Sequence, residues 1–360
     1  MTPPHPSPLW CLWNALKGTN TTTLTTPLPS LTGKWIIITG SNNGIGLEAA
    51  KAFAQAGANL ILGCRQPPPW ELHPDTAVQQ CRQLALSAGH TSSTIEWWEI
   101  DMADLRSVDA FAERWVLSGR VLDVLCNNAG MGPTASRGPV LTKDGMEVLH
   151  QVNFTSHVLL TLRLLDSLAQ SEEPRVVCTT SCFHFLGRFD LDHFNGEAGM
   201  SGNPYGNNKL YFQTWVAELQ RRLLRSKNKP RYKHITVNGI NPGYVRTGIW
   251  NNPRPGTPEN WWVAAWGYRF FDLLASLLAI SPQQGSQAIV YAATSVEFGP
   301  DPGVQGVGVV GGRGGGHYIN RIWGAEAMPH CTDEEAGSVV WEKVAEELRL
   351  EERGLLDQFV

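Results

Sequence analysis

The sequence predicts a single α/β domain, doubly wound, with a mostly parallel central sheet flanked by helices. Two observations carry this expectation. Short apolar runs alternate with helix-like stretches along the chain, and a glycine-rich turn follows the first run. The candidate strands are 35–39, 59–64, 95–100, 121–126, 175–180 and 234–240. Most are apolar along their whole length, as expected of strands covered on both faces. Helical stretches lie between them, notably 45–55, 146–168 and 205–224, the first ending before Gly57 as a C-terminal cap. Near the end, Thr332-Asp333-Glu334-Glu335 has the form of a capping box opening a helix that runs through Glu346.

Composition narrows the function. The 360 residues are 42% apolar and 17% charged, enough to bury a core and too apolar for wholesale disorder. With 29 basic and 33 acidic residues, the net charge of −4 supplies no basic surplus for nucleic acid or an anionic surface. Seven cysteines show no paired spacing and read as reduced core thiols of a cytoplasmic protein. Cys178 and Cys182 flank Ser181 without a histidine or cysteine cluster, so no metal site is expected. Residues 1–31 are rich in proline and threonine. Pro3, Pro4, Pro6 and Pro8 interrupt any apolar run, which argues against a signal peptide and for a loose extension. Its apolar patch at 8–13 is expected to pack on the domain in preference to a membrane surface.

After the first strand comes Thr39-Gly40-Ser41-Asn42-Asn43-Gly44-Ile45-Gly46. Glycines let the backbone approach a pyrophosphate, and the helix N-terminus that follows offers free N–H groups and a positive dipole end. Standing between a strand and an Ala-rich helix, this turn marks a Rossmann-type dinucleotide site, with Gly40, Ser41, Asn42, Gly44, Ile45 and Gly46 as phosphate contacts. The second strand ends at Cys64-Arg65, and no acid lies between Asn59 and Trp70. A carboxylate there would take the ribose 2′-hydroxyl, whereas an arginine fork suits a 2′-phosphate. Arg65 therefore favours NADP(H) over NAD(H); the rival reading is an ordinary solvated arginine.

Over residues 32–322 the sequence resembles the short-chain dehydrogenase/reductase superfamily. The turn has its TGxxxGIG form, and Asp101-Met102 stands where the family contacts adenine. Asn127-Asn128-Ala129-Gly130 is similar to its NNAG motif and Tyr205-Gly206-Asn207-Asn208-Lys209 to its YxxxK motif. Asn241-Pro242-Gly243-Tyr244-Val245-Arg246-Thr247 resembles its nicotinamide loop. A narrower likeness is to the retinol-dehydrogenase-like branch, which includes fungal tailoring reductases. It rests on 142–147 with Asn153, on 175–181 with His184 and Leu186-Gly187-Arg188, and on Ser281-Pro282 with Gly285. The resemblance implies further cofactor contacts from Arg65, Asp101, Met102, Asn127, Ala129, Tyr205, Lys209, Pro242, Gly243, Val245 and Thr247. The Pro67-Pro68-Pro69-Trp70 interruption and a long glycine-rich stretch at 303–316 depart from the family.

Reducing a ketone needs a hydride at carbon and a proton at oxygen. Tyr205 is the expected acid. Lys209 lies four residues on, on the same helix face, and its charge is expected to lower the tyrosine pKa. The resemblance further implies that Ser181 hydrogen-bonds the carbonyl oxygen, that Lys209 binds the nicotinamide ribose, and that Asn153 holds a water. The segment 248–280 carries Trp250, Trp261, Trp262, Trp266, Tyr268, Phe270 and Phe271, and suits a lid over a lipophilic small molecule such as a polyketide or terpenoid. Arg269 and Asp272 make it a poor membrane span; a lid that also dips into a membrane interface is the second reading. The rival functions are an oxidising dehydrogenase for a retinoid- or steroid-like alcohol and a non-catalytic NADP-binding regulator. Residues 323–360 are expected to form a helical tail.

Overall fold

The computed structural model describes residues 2–69, 71–133, 138–196, 203–227, 229–246, 279–301, 307 and 313–359. Within them one eight-stranded sheet runs in the order β3-β2-β1-β4-β5-β6-β7-β8. The strands are β1 Trp35–Thr39, β2 Asn59–Cys64, β3 Ile95–Glu99, β4 Val124–Asn127, β5 Arg175–Thr179, β6 Thr236–Asn241, β7 Tyr318–Asn320 and β8 Trp323–Ala325. All pair in parallel except β8, which returns antiparallel to β7. The order reverses between β1 and β4, the switch point at which ligands bind beyond the carboxyl ends of the strands. The predicted doubly wound fold is the observed one.

Helices α2 Gly44–Gln55, α3 Pro74–Ser87 and α7 Pro282–Thr294 cover one face. On the other lie α4 Leu105–Leu117, α5 Ser156–Leu168, α6 Pro204–Arg225 and α8 Glu334–Glu347. Side-chain alternation divides β1 between two cores: Ile37 packs with Trp115 and Leu125, while Ile36 and Ile38 pack with Phe53 and Leu62. The expected helix over 146–168 is broken. A single turn Val148–His150 passes into a π-turn, Gln151–Thr155, before α5 begins. The last helix is capped by Asp333, whose carboxylate accepts from Ala336 N at 2.8 Å, one residue later than the capping box suggests.

Both chain ends add elements to the domain. The N-terminal residues form α1, Pro8–Lys17, capped by Ser7 and packed on the 3₁₀ turn Cys182–Leu186. Trp10 meets Phe185 edge-on with centroids 5.6 Å apart. Proline at the first helical position costs nothing there, which explains how a Pro-rich segment starts a helix. Its outer face leaves Leu9, Leu12, Trp13 and Leu16 exposed. At the other end, Trp323–Ala325 extends the sheet past residue 322. The predicted lid at 248–280 lies outside the described residues except for Ala279 and Ile280, and Thr247 lies outside them too.

Trp115 is fully buried, and its indole N–H donates to Ser167 Oγ at 2.8 Å. Trp115→Ala should lower the unfolding free energy by about 3–5 kcal/mol through the cavity left behind, read as a lower denaturant midpoint.

Candidate active site

The site lies where β1, β4, β5 and β6 end. The glycine turn leaves β1 with Gly40 at φ +64°, a conformation that side chains avoid. A Cβ at Gly40 would come 2.8 Å from Ala129 Cα, and one at Gly46 would come 2.5 Å from Gly40 O. Gly40 therefore has no room for a side chain because β4's loop lies against it, and Gly46 none because the turn's own backbone does. Thr39 holds the two loops together: its hydroxyl accepts from Asn128 N and Ala129 N, both at 2.9 Å. Asn128 Nδ2 returns a bond to Thr39 O at 2.9 Å. Neither Thr39 nor Asn128 stands out in the sequence as a contact residue, because their partners lie 88–90 positions away.

Several predicted contacts are turned inward. Ser41 is fully buried and donates to Ile38 O at 2.9 Å; Asn42 Nδ2 donates to Leu72 O at 2.9 Å. These side chains shape the loop, so any phosphate contact there comes from backbone. Asn127 is likewise inside, donating to Thr161 Oγ1 at 2.8 Å. Met102 is buried and its carbonyl accepts from Ser156 Oγ, while Asp101 Oδ1 caps Ala103 N. Ile45 and Val245 meet at Gly285 of α7, where a Cβ would stand within 2.8 Å of each. Gly243, after Pro242, adopts φ +85° beside Ile280 and the buried Arg321. Arg65 is half-exposed at the end of β2, but it is no free fork. Its Nη2 lies 3.0 Å from Glu71 Oε1, brought back by the turn through Pro67–Pro69 that separates them in sequence.

Ser181, Tyr205 and Lys209 come together, all buried. Ser181 follows β5 in extended conformation and caps the 3₁₀ turn, its Oγ accepting from Phe183 N at 3.2 Å. Tyr205 opens α6 and shares a hydrogen bond with the Ser181 hydroxyl. The close approach requires glycine next door, since a Cβ at Gly206 would meet Phe183 O at 2.9 Å. Asn153 lies in the π-turn, and its side chain bonds one residue in both directions: Oδ1 accepts from Met131 N at 2.8 Å and Nδ2 donates to Met131 O at 2.9 Å, which leaves one amide hydrogen and one lone pair.

The electrostatics differ from expectation. Lys209 Nζ donates to Thr179 O at 2.8 Å and stands 5.6 Å from the Tyr205 ring centroid. Burial pushes the Tyr205 pKa up, with its Ser181 hydrogen bond opposing. The same desolvation brings Lys209 down to about 8. The expected lowering of the tyrosine by its lysine is not seen: desolvation outweighs the partner's charge, and the ammonium is aimed at a carbonyl. Behind them His157 is buried and brought down to about 3 by desolvation, its Nε2 2.8 Å from Ala129 O.

The chain belongs to the short-chain dehydrogenase family, whose model, described as short chain dehydrogenase, matches residues 34–257. It falls in the retinol-dehydrogenase-like branch. It is 30% identical over 316 residues to retinol dehydrogenase 14 of Mus musculus, covering 86% of this chain and 84% of that relative. With human retinol dehydrogenase 11 it shares 32% over 267 residues, 73% of each chain. Among solved structures, L-sorbose reductase from Gluconobacter frateurii, complexed with NADPH and L-sorbose, superposes with a TM-score of 0.52 at 21% identity over 74% of this chain and 91% of that one. A short chain dehydrogenase from Mycobacterium paratuberculosis bound to NAD gives 0.52 at 16%, over 74% and 93%. One of these holds NADPH and the other NAD, so the shared fold accepts either. The chain is an oxidoreductase family member acting between alcohol and carbonyl. Among the described residues, no helix is long and apolar enough to cross a membrane and no group of acidic, histidine or cysteine side chains could hold a metal.

The lowered Lys209 pKa has a consequence for stability. Between about 8 and its ordinary 10.5, the unfolded chain holds a proton that the folded chain has lost, so this group's contribution to stability rises with pH in that window. Below about 8, the folded state bears the full cost of the buried ammonium. Relative to Lys209→Met, the native protein should gain up to about 1.4 kcal/mol per pH unit as pH climbs above that value, measured by denaturant unfolding.

Proposed function

We propose that this chain is an NADP(H)-dependent reductase that converts a carbonyl on a lipophilic small molecule into an alcohol. The observation that carries the reading is the buried gathering of Ser181, Tyr205 and Lys209 beside a glycine turn whose Ser41 and Asn42 side chains are turned inward. Backbone at Gly40, Ser41, Asn42, Gly44, Ile45 and Gly46 would hold the phosphates at the N-terminus of α2, with Asn127–Ala129 and Asp101–Met102 along the adenosine side. Pro242, Gly243, Val245 and Thr247 would border the nicotinamide. When bound, the cofactor supplies the hydride. Tyr205 would give its phenolic proton to the substrate oxygen. The Ser181 hydroxyl steadies the charge growing on that oxygen. Lys209, which keeps two further N–H groups beside its bond to Thr179 O, would hold the nicotinamide ribose. Asn153 keeps the 131 loop in place through its two bonds to Met131.

Two features support the substrate class: the tryptophan-rich sequence at 248–280 and the likeness to relatives named for retinol. Following NADPH oxidation with all-trans-retinal and a panel of hydrophobic ketones tests the reading. Tyr205→Phe should lower kcat by at least about 10²-fold, with NADPH binding changed less than about twofold. Turnover retained in that variant would overturn the assignment. If the same protein oxidises the alcohol with NADP and fails to reduce the ketone, the retinoid- or steroid-type dehydrogenase replaces it.

The cofactor preference rests on Arg65 and its neighbour. Glu71 competes with a 2′-phosphate for the guanidinium, so Glu71→Gln should tighten NADPH binding by roughly threefold to tenfold, while Arg65→Ala should abolish the preference for NADPH over NADH. Isothermal titration with each cofactor checks both. Equal affinities in the native protein would remove the NADP(H) assignment.

A further inference from the structure

One peptide unit, the Ser181–Cys182 amide, is held at both its polar atoms, and each hold leads to a different end of the chain. On one side, Cys182 N donates to Asn241 Oδ1 at 3.0 Å. The Asn241 amide donates in turn to Gly18 O and to Asn320 Oδ1, both at 2.9 Å. On the other, Ser181 O lies 2.6 Å from His184 Nδ1, and His184 Nε2 accepts from Met328 N at 3.1 Å. A backbone N–H can only donate and a carbonyl can only accept. These partners therefore require a neutral imidazole with its proton on Nδ1. Asn241, His184, Cys182 and Met328 are all buried.

The N-terminal contact is steric as well as polar. Gly18 closes α1 at φ −67°, ψ −16°, and a Cβ there would lie 2.1 Å from Cys182 Cβ. Beyond it the chain is strapped down: Arg321 Nη1 donates to Asn20 O at 2.8 Å, and Leu24 N donates to Gln284 Oε1 at 2.7 Å. The strap has no slack at Cys182, and its polar hold ends on the peptide that carries Ser181.

We infer that the two ends of the chain form a clamp on the Ser181–Cys182 peptide and thereby set the position of the Ser181 hydroxyl, with Asn241 and His184 as positioning residues. This rests on the proposed reductase reading for its effect on turnover, though not for the clamp itself. Fixing both atoms of the peptide fixes the backbone torsion after Ser181, observed at ψ 153° in extended conformation. The Ser181 side chain then meets the Tyr205 hydroxyl. Displacing such a group by about 1 Å costs on the order of a hundredfold in rate.

The test uses the full chain and three variants. Gly18→Ala introduces no backbone strain, because its φ is ordinary, and acts only by pressing on Cys182. It should speed hydrogen exchange in the peptide covering 182–186 at least about tenfold while leaving the β4 and β5 amides protected. It should lower kcat for all-trans-retinal reduction about 10- to 100-fold, with NADPH affinity changed less than about twofold. Gly18→Ala combined with Cys182→Gly removes the colliding Cβ and should restore both readouts. His184→Ala, which breaks the other arm without touching α1, should show the same split between kcat and NADPH affinity. The clamp is overturned if Gly18→Ala leaves exchange at 182–186 unchanged, if exchange quickens with kcat intact, or if the double variant restores neither. Should the native protein reduce no carbonyl probe, the reductase reading falls. The exchange measurements and their rescue then decide the clamp alone.

Discussion

A buried ammonium resting on a strand-end carbonyl sets the terms of this site. Among the described residues no carboxylate pairs with Lys209; its Nζ is held by Thr179 O at the end of β5. In so apolar a setting charge is expensive, and the lysine drops toward neutrality while the tyrosine is pushed to hold its proton. The same surroundings keep His157 and His184 neutral, with pKa values near 3 and 4. Four ionisable groups are thus each buried where charge is disfavoured, a composition a domain tolerates where it serves chemistry. Neutrality also makes each histidine nitrogen either a donor or an acceptor, which gives the cluster a single arrangement.

Around that centre the parallel sheet supplies the geometry. Strands β1, β4, β5 and β6 end side by side, and each hands over a loop whose backbone groups lack ladder partners. Side chains take up those groups. Thr39 collects two N–H groups from the β4 loop, Asn153 satisfies Met131 in both directions, and Asn241 and His184 take the two atoms of one peptide. Buried backbone polar groups without partners would cost about 1–3 kcal/mol each. The polar residues near the cofactor turn are accordingly structural in their side chains, and what they offer a ligand is an ordered backbone.

The adenosine edge shows how a nearby charge changes a simple sequence argument. Arg65 follows β2, where its guanidinium suits a 2′-phosphate, and the stretch before Trp70 carries no acid. Folding returns Glu71 to 3.0 Å from it. Both groups are substantially exposed, so the ion pair itself is worth little. Its importance is that a phosphate arriving at Arg65 would meet a carboxylate already in place.

Much of the molecule was legible from residue order. The apolar runs placed β1 to β6, because strands covered on both faces must be apolar throughout, and the ordered motifs placed Ser181, Tyr205 and Lys209 on consecutive elements. Local rules also located α2, α5, α6 and α8, apart from the π-turn around Asn153, which answers to Met131 rather than to its own segment. What only the tertiary structure decided were the long-range partners. A Pro- and Thr-rich start reads as loose by composition, yet α1 packs on the turn after Ser181, and the side chains that bond the carbonyls at its end, Asn241 to Gly18 and Asn320 to Lys17, lie 223 and 303 positions away. The short strands β7 and β8 have too few residues to announce themselves; β7 exists by pairing with β6, and β8 by pairing with β7. The direction of the Tyr205 and Lys209 shifts likewise depends on how much water is excluded, a property of the assembled packing. Periodicity and motif spacing are local and survive in the one-dimensional chain; desolvation and the satisfaction of distant backbone groups come into being only when the chain closes on itself.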